Sequence, residues 1–560
     1  MRRERPTNSG KTVRLLVARR NGDKNVHIVM AMPVRVCRSS ARVARLPRVR
    51  REAQVPTGFH QRPPGVAPHV NRRYTDWYRY SQYDDRAVQL LILKHERVAR
   101  RVAQAVEKRA VRPGQRLPSV RALAAREGVS PATAVRAYER LIAAGLVETR
   151  PQSGHYVATP TQAAPSAPPR RTHSDPRRVR ISELITRLAD AGDPRTVAPL
   201  GGAMPAVELL PGRALRRVIA RTADALGDDS LRYAPPAGMP RFREQLARRS
   251  IGWRCALPPE DFVVTSGASE ALSLALQAVT EPGDVVAVES PGYYGVLQII
   301  ETLNLHALEV PSDVQSGLDL EALGAALRRH RVRAVVIVTN VSNPLGITLA
   351  EARKQELVEM LAASAVALVE DDVWGDLSFG LTRPVVAKAY DQGDRVLLCG
   401  SFSKTLAPGL RIGWVATGRY RERIELLKFA HTMAAPTLSQ AALAEYLASG
   451  GYDRHLRRLQ RQLAEQVARF RDAIVHAFPS GTAVSRPAGG CFLWVELPQG
   501  ADTLALHARA LADGVRIMPG PVFSARSRFR RCLRINCGHP WSRRMEDAIL
   551  TLGTLATRQL

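Results

Sequence analysis

Cysteine is scarce in this 560-residue sequence, and the six present, at positions 37, 255, 399, 491, 532 and 537, have none of the short spacings that hold a metal. A disulfide framework and a structural zinc module are both excluded. No apolar run reaches the roughly 18 residues that a membrane-spanning helix requires. The stretch from Val26 to Val34 is apolar and follows charged residues, but it is short, contains His27 and leads into an arginine-rich segment, so it is not read as a secretory leader. A reduced, cytoplasmic setting is the expectation. Acidic residues are the third shortage. Only 51 Asp and Glu face 82 Lys and Arg, giving a formal charge of +31, which favours a polyanionic partner and salt-sensitive association.

That charge is unevenly placed. Residues 1–86 carry 20 Lys and Arg against 6 Asp and Glu, and residues 87–157 carry 13 against 5, so the remaining 403 residues hold only a minor share of the excess. Length alone implies at least two domains, since single cores rarely grow past about 250–300 residues. Four regions are expected. Residues 1–86 lack a sustained period and are rich in Arg and Pro up to a Tyr cluster at 74–80, so disorder is the default. They read as a basic arm on DNA phosphate, a solvated tail, or a stretch translated from a start codon placed too early. Residues 87–158 form a small helical module, 159–186 a Pro/Ala/Ser/Arg-rich linker, and 187–560 a large domain.

Within the small module, Val98, Val102 and Val106 recur every fourth residue and predict an amphipathic helix from Leu93 to Arg109, ended by Pro113-Gly114. Ser119 stands where an N-cap belongs, and a short second helix with Val120, Leu123 and Ala124 stops at Gly128. Ser130 then caps a third helix, with Val135, Tyr138, Leu141 and Ile142 on one face, Thr133, Arg136 and Arg140 on the other, and Gly145 at its end. Two alternating runs around Pro151 to Gly154 predict a hairpin. Three short helices with a tight second turn place the third in the major groove, where an Arg can grip a guanine edge. Arg121 is better placed for phosphate, and the wing tip at Ser153-Gly-His155 for the minor groove. On spacing alone, a structural helical module with solvated arginines accounts for the pattern equally well.

Beyond residue 181, apolar runs at 262–265, 285–289, 334–339, 365–370 and 396–399 alternate with helical stretches. This predicts an α/β domain with a mainly parallel central sheet covered on both faces. Ligands in such sheets sit beyond the carboxyl ends of the strands. Several residues at those ends suit one chemistry. Lys404 follows a strand and lies near Ser401, Ser403 and Arg411, a setting that lowers a lysine pKa and favours the free amine. Thr265-Ser-Gly-Ala268-Ser269 is a small-residue turn whose amides can cradle a phosphate at a helix start. Asp371 ends a hydrophobic strand, where a buried carboxylate needs a partner such as a protonated pyridine nitrogen. Tyr293 offers a ring to stack, Asn343 an amide for a ring hydroxyl, and Arg534 a bidentate clamp for a carboxylate. Singly, each has an ordinary structural explanation, as a cap, a core ring, a turn or an ion pair.

Two resemblances join these readings. The segments Arg116-Leu-Pro-Ser-Val-Arg121, Gly128 to Leu141 and Gly145 to Gly154 resemble the GntR-type winged helix-turn-helix. From about residue 190 onward the chain resembles fold-type-I, class I/II aminotransferases. Together, the chain past residue 87 is similar to the MocR-type transcription regulators. The resemblance implies DNA contacts for Arg121, Thr133, Arg136 and His155, to which helix spacing adds Arg140, and pyridoxal 5'-phosphate as cofactor. It implies Lys404 as the Schiff-base lysine and Asp371 as the pyridine-nitrogen partner. Asn343 falls at the ring oxygen, Tyr293 against the ring, and Ala268, Ser269, Ser401, Ser403 and Arg411 around the phosphate. Tyr233 would reach in from the partner of a homodimer, and Arg534 would take the carboxylate of an amino acid or amine effector. Two departures stand out. The family's Tyr three residues after the aspartate is Trp374, and its glycine-containing substrate loop is only loosely matched by Gly201-Gly-Ala-Met-Pro205. A sensor of the cofactor or of an amino compound is therefore the leading expectation, and a working aminotransferase carrying a DNA-binding module is the alternative.

Overall fold

The structure of the protein is a computed structural model that describes residues 94–107, 110–112, 114–143, 146–150, 154–157, 175–189, 196–380 and 382–560. The basic extension, the Tyr cluster, Leu93, Pro113, Gly145, Ser153 and most of the linker lie outside these residues.

The small module is built as its caps and periodicity require. Helix α1 (Lys94–Glu107) presents Val98, Ala99 and Ala103 to the core. Helix α2 (Val120–Glu127) starts where the Ser119 hydroxyl accepts the Ala122 amide at 3.2 Å, and it stops at Gly128, whose φ of 61° is left-handed and suits glycine. Helix α3 (Pro131–Ala143) is capped by Ser130, whose hydroxyl takes the Thr133 amide and pairs with the Thr133 hydroxyl. Strands β1 (Val147–Arg150) and β2 (Gly154–Val157) form the expected antiparallel hairpin. One detail of α3 departs from the expected face. Ala134, Ala137, Tyr138 and Leu141 are fully buried, whereas Val135 and Ile142 are 39% and 38% exposed. The alanines let α3 sit close against Ala99 and Ala103 of α1, and that packing turns the branched residues outward.

The large domain holds a nine-stranded sheet. Its long strands in chain order are β3 (Phe262–Thr265), β4 (Val285–Ser290), β5 (His306–Asp313), β6 (Val332–Ile337), β7 (Ala367–Asp371), β8 (Val396–Ser401) and β9 (Gly413–Ala416). Across the sheet they run β5, β4, β6, β7, β8, β9, β3. The first five are mutually parallel, and β9 is antiparallel to both β8 and β3. Separate apolar clusters cover the two faces, one gathering Leu272, Leu276 and Ile300, the other Leu323, Leu357 and Leu361. A smaller antiparallel sheet carries β10 (Phe492–Glu496), β11 (Met518–Pro519) and β12 (Cys532–Asn536). Helices that border the cavity or the groove of this domain include α4 (Gly212–Leu226), α5 (Ala268–Val279), α6 (Thr437–Ala448) and α7 (Gly451–Ala477).

Two boundaries shift from expectation. The large domain's packing begins before residue 187, because Val179, Ile181, Ile185 and Leu188 join its core and Glu301 accepts the Ile181 and Ser182 amides. The strand expected at 365 starts at Ala367, since Ala365 has a φ of 55° and cannot extend the ladder.

Candidate functional site

The carboxyl ends of the parallel strands converge on a cavity of about 170 Å³. Lys404, Asp371, Asn343, Tyr293, Ala268, Ser269, Ser401, Ser403, Arg411 and Arg534 all line it, together with Trp374, Ala203, Met204 and Tyr294. Ten residues named from sequence, spread over more than 260 positions, are thus gathered in one place.

Each side chain's setting follows from its strand end. Asp371 is the last residue of β7 and is buried, with one oxygen accepting the Val373 amide at 3.1 Å. Burial pushes its carboxyl up to about 7, with only partial relief from that amide. Lys404 lies three residues past β8, its Nζ facing the Trp374 ring at 5.6 Å. Burial lowers its ammonium to about 8, and Cys491, Arg534, Asp371 and Arg411 add smaller, partly cancelling effects. The fall from an ordinary lysine value enlarges the fraction of free amine near neutrality, and the free amine is the form that attacks an aldehyde.

A candidate phosphate cradle is at the start of α5. Gly267 precedes that helix with a φ of 88°, and a Cβ there would fall 2.5 Å from Arg411 Nη2, so the close approach requires glycine. Arg411 donates to the Ser266 carbonyl at 2.7 Å, which holds its guanidinium beside the helix's first amides. Helix start, serines and arginine make a donor set suited to a phosphate dianion. The residues present therefore fit pyridoxal phosphate: amine, carboxylate, stacking ring and phosphate donors share one pocket.

Arg534, in β12, is completely buried and donates to Asn343 Oδ1 at 2.8 Å and to the Gly201 carbonyl at 2.9 Å. Phe523, Tyr294 and Phe492 surround its guanidinium at 5.1, 5.9 and 6.0 Å. The loop Gly201-Gly-Ala-Met-Pro205, loosely matched in sequence, thus closes over the clamp, and a Cβ on Gly201 would meet the Ile517 carbonyl at 2.9 Å. Trp374 is buried edge-on against Phe492 at 5.0 Å. It fills its place in the wall with an apolar ring and brings no phenolic donor. Tyr233 is 79% exposed and does not line this chain's cavity.

Several buried groups behind the cavity lining escaped the sequence reading. Glu289, at the end of β4, is buried with its Oε1 accepting the Val338 amide at 3.3 Å, and burial raises it to about 8, with the neighbouring Asp371 charge adding to the rise. A carboxylate two residues before Pro291-Gly-Tyr293 at a strand end was the available signal. Cys491 feels the charges of Lys404 and Arg534, and burial pushes its thiol up to about 12 against their opposing pull. His455 of α7 meets the Thr405 carbonyl at 2.7 Å and so braces the residue next to the lysine.

In the small module, Arg121 and Arg136 are exposed. Thr133 is half-buried and engaged in capping α3. Arg140, expected to face the groove beside Arg136, instead pairs with Glu96 of α1 at 3.0 Å. His155 stacks on Tyr138 with ring centroids 4.1 Å apart rather than extending from the wing. These last two side chains fasten the module's own elements.

Comparison with known proteins agrees with this partition. Residues 208–548 match the family described as aminotransferase class I and II, and residues 94–157 match that of bacterial regulatory proteins, gntR family. The chain is 40% identical to the uncharacterised HTH-type transcriptional regulator YdcR of Escherichia coli (strain K12) over 83% of this chain and 100% of that one. It is 34% identical to YjiR of the same organism, over 83% and 99% respectively. The fold is similar to that of a multiple substrate aminotransferase from Thermococcus profundus, at 26% identity and a TM-score of 0.63 over 68% of this chain and 96% of that one. LysN, the alpha-aminoadipate aminotransferase of Thermus thermophilus, solved with N-(5'-phosphopyridoxyl)-L-leucine, gives 27% identity, a TM-score of 0.63 and the same coverage.

Proposed function

The chain belongs to the MocR-type transcription regulators, in which a GntR-family DNA-binding module precedes a class I and II aminotransferase domain, and on that premise we propose that it senses an amino compound at its cofactor site and reports it to DNA. Its cofactor is pyridoxal phosphate, which when bound supplies an aldehyde that condenses with amines. Lys404 offers the neutral amine that would hold the aldehyde, Asp371 the charge for the pyridine nitrogen, and Tyr293 and Asn343 the contacts to ring and ring oxygen. Ser401, Ser403, Arg411 and the first turn of α5 would hold the phosphate. Arg534 would take the effector's carboxylate in exchange for Asn343 or Gly201, which makes an amino acid the favoured ligand. Tyr233, exposed beside Leu231, would be contributed to the site of a second copy in a homodimer. Arg121 and Arg136 would meet the DNA, in keeping with a cytoplasmic location.

The coupling is thermodynamic. A ligand that favours one arrangement of the dimer shifts the placement of the reading heads by no more than its differential affinity for the two arrangements. The observation that carries the reading is the convergence of Lys404, Asp371 and Arg534 in one cavity on a chain that also folds a capped winged helix. An absorbance spectrum tests it. Wild type with pyridoxal phosphate is expected to show the visible band of a lysine-linked cofactor and Lys404→Ala to lack it. A wild-type spectrum equal to that of the free cofactor overturns the proposal.

The intact Arg534 clamp and its closing loop favour a second reading, a working aminotransferase, whereas Trp374 removes a donor that the chemistry ordinarily uses. Sustained turnover of an amino acid with a 2-oxo acid would establish that reading and exclude a pure sensor.

A further inference from the structure

On the large domain, distinct from the lysine cavity in its lining residues, α4, the end of α6 and the start of α7 enclose an open groove of about 990 Å³. Arg213, Arg217 and Arg221 line it from α4 at four-residue intervals, so they share one face of that helix. The face of α4 turned away from the groove is anchored by Leu215 and Thr222. Arg454 and Arg458 line the other wall from the first turns of α7, where Tyr452, His455 and Leu459 are buried. All five arginines are exposed, and none makes an ion pair among the described residues. The nearby acids are occupied elsewhere: Glu445 pairs with Arg241, Asp453 with Arg249, and Asp229 with Arg232. Glu208 is the one carboxylate in the lining.

Five like charges in one groove repel each other, and that repulsion is relieved by an anion. An enclosed small-anion site would bury its donors, whereas these guanidiniums are spread along two helices and open to water. The stripe on α4 spans about 12 Å at 1.5 Å per residue. That length covers roughly three to four phosphates of one DNA strand at 3.4 Å each along the axis. A second copy of so basic a chain is a poor occupant by charge. We propose that this groove holds the phosphate backbone of DNA flanking the sequence that the winged helix reads, an assignment that rests on the regulator reading above. The aminotransferase-like domain would then add sequence-independent contacts to those of the reading head.

Full-length protein with an operator selected from random DNA provides the test, measured by fluorescence anisotropy on a duplex of roughly 20 bp and on the same site within roughly 60 bp. Wild type is expected to bind the longer duplex at least about tenfold more tightly, with a steeper salt dependence. R217Q/R221Q/R454Q is expected to keep wild-type affinity for the short duplex, cofactor absorbance and melting temperature. It should lose the gain from flanking DNA, and its salt slope on the long duplex should fall by about 2.7, or 0.9 per phosphate contact. Equal loss on both duplexes, or none on either, overturns the groove assignment. So does abolition of the flanking gain in wild type by inorganic phosphate at constant ionic strength, which would mark a small-anion site. A single-stranded RNA of equal length that competes as well as the flanked duplex would reassign the groove to RNA. If wild type binds neither duplex, the regulator reading fails, and the groove assignment fails with it.

Discussion

Asp371 shows how one residue's environment sets its role. Its carboxyl is held near 7 by burial, above an ordinary value near 3.9. Folded protein stripped of cofactor therefore binds more protons than unfolded protein between these values. Stability falls as pH rises from about 4 to about 7 and stays reduced above. Asp371→Asn has no such titration and is expected to be more stable than the stripped wild type at pH 8 by roughly 1–3 kcal/mol, with no such advantage at pH 4, while binding pyridoxal phosphate more weakly. Denaturant melts at the two pH values check this, and equal pH dependence in both proteins contradicts it. Lys404 and Asp371 were legible in the sequence because each follows an apolar strand, where an ionisable group needs a reason to be buried. Glu289 was passed over because it was counted simply as the last residue of the run at 285–289. The Arg140–Glu96 pair was not legible because helix spacing shows which face a residue occupies but not what packs there, and the His155–Tyr138 stack was not legible because the hairpin pattern does not show which helix lies beneath it.

At the scale of elements, caps were the surest guide. Ser119, Gly128 and Ser130 stand where expected, since side-chain acceptors and left-handed glycines act locally. Strand β9 was missed because Gly413-Trp-Val-Ala416 is too short to show a period, and β5 because a proline and acids interrupt it. The face of α3 was misjudged for a related reason: alanine is a weak hydrophobic signal but an effective close-packing residue. The consequence can be tested with Ala137→Leu. The added carbons have no space between α3 and its neighbours, so the substitution is expected to destabilise the winged helix by about 1–3 kcal/mol. DNA affinity should drop while the cofactor spectrum stays that of wild type. Unchanged DNA binding would mean that α3 does not pack as described.

At the scale of the whole molecule, the small module and the large domain each bury a separate core, so each has the means to hold its own structure. The sequence made both domains legible through local motifs. The groove between α4 and α7 was not legible, because its arginines come from segments more than 230 residues apart and only the fold assembles them. Coupling between the domains is the central claim. Its most direct test is the operator affinity of the full chain with and without pyridoxal phosphate, in wild type and in Lys404→Ala. The account predicts that the cofactor shifts the wild-type Kd by about 5- to 150-fold and leaves that of Lys404→Ala unmoved. An identical Kd with and without cofactor in wild type, despite a normal cofactor spectrum, would contradict it.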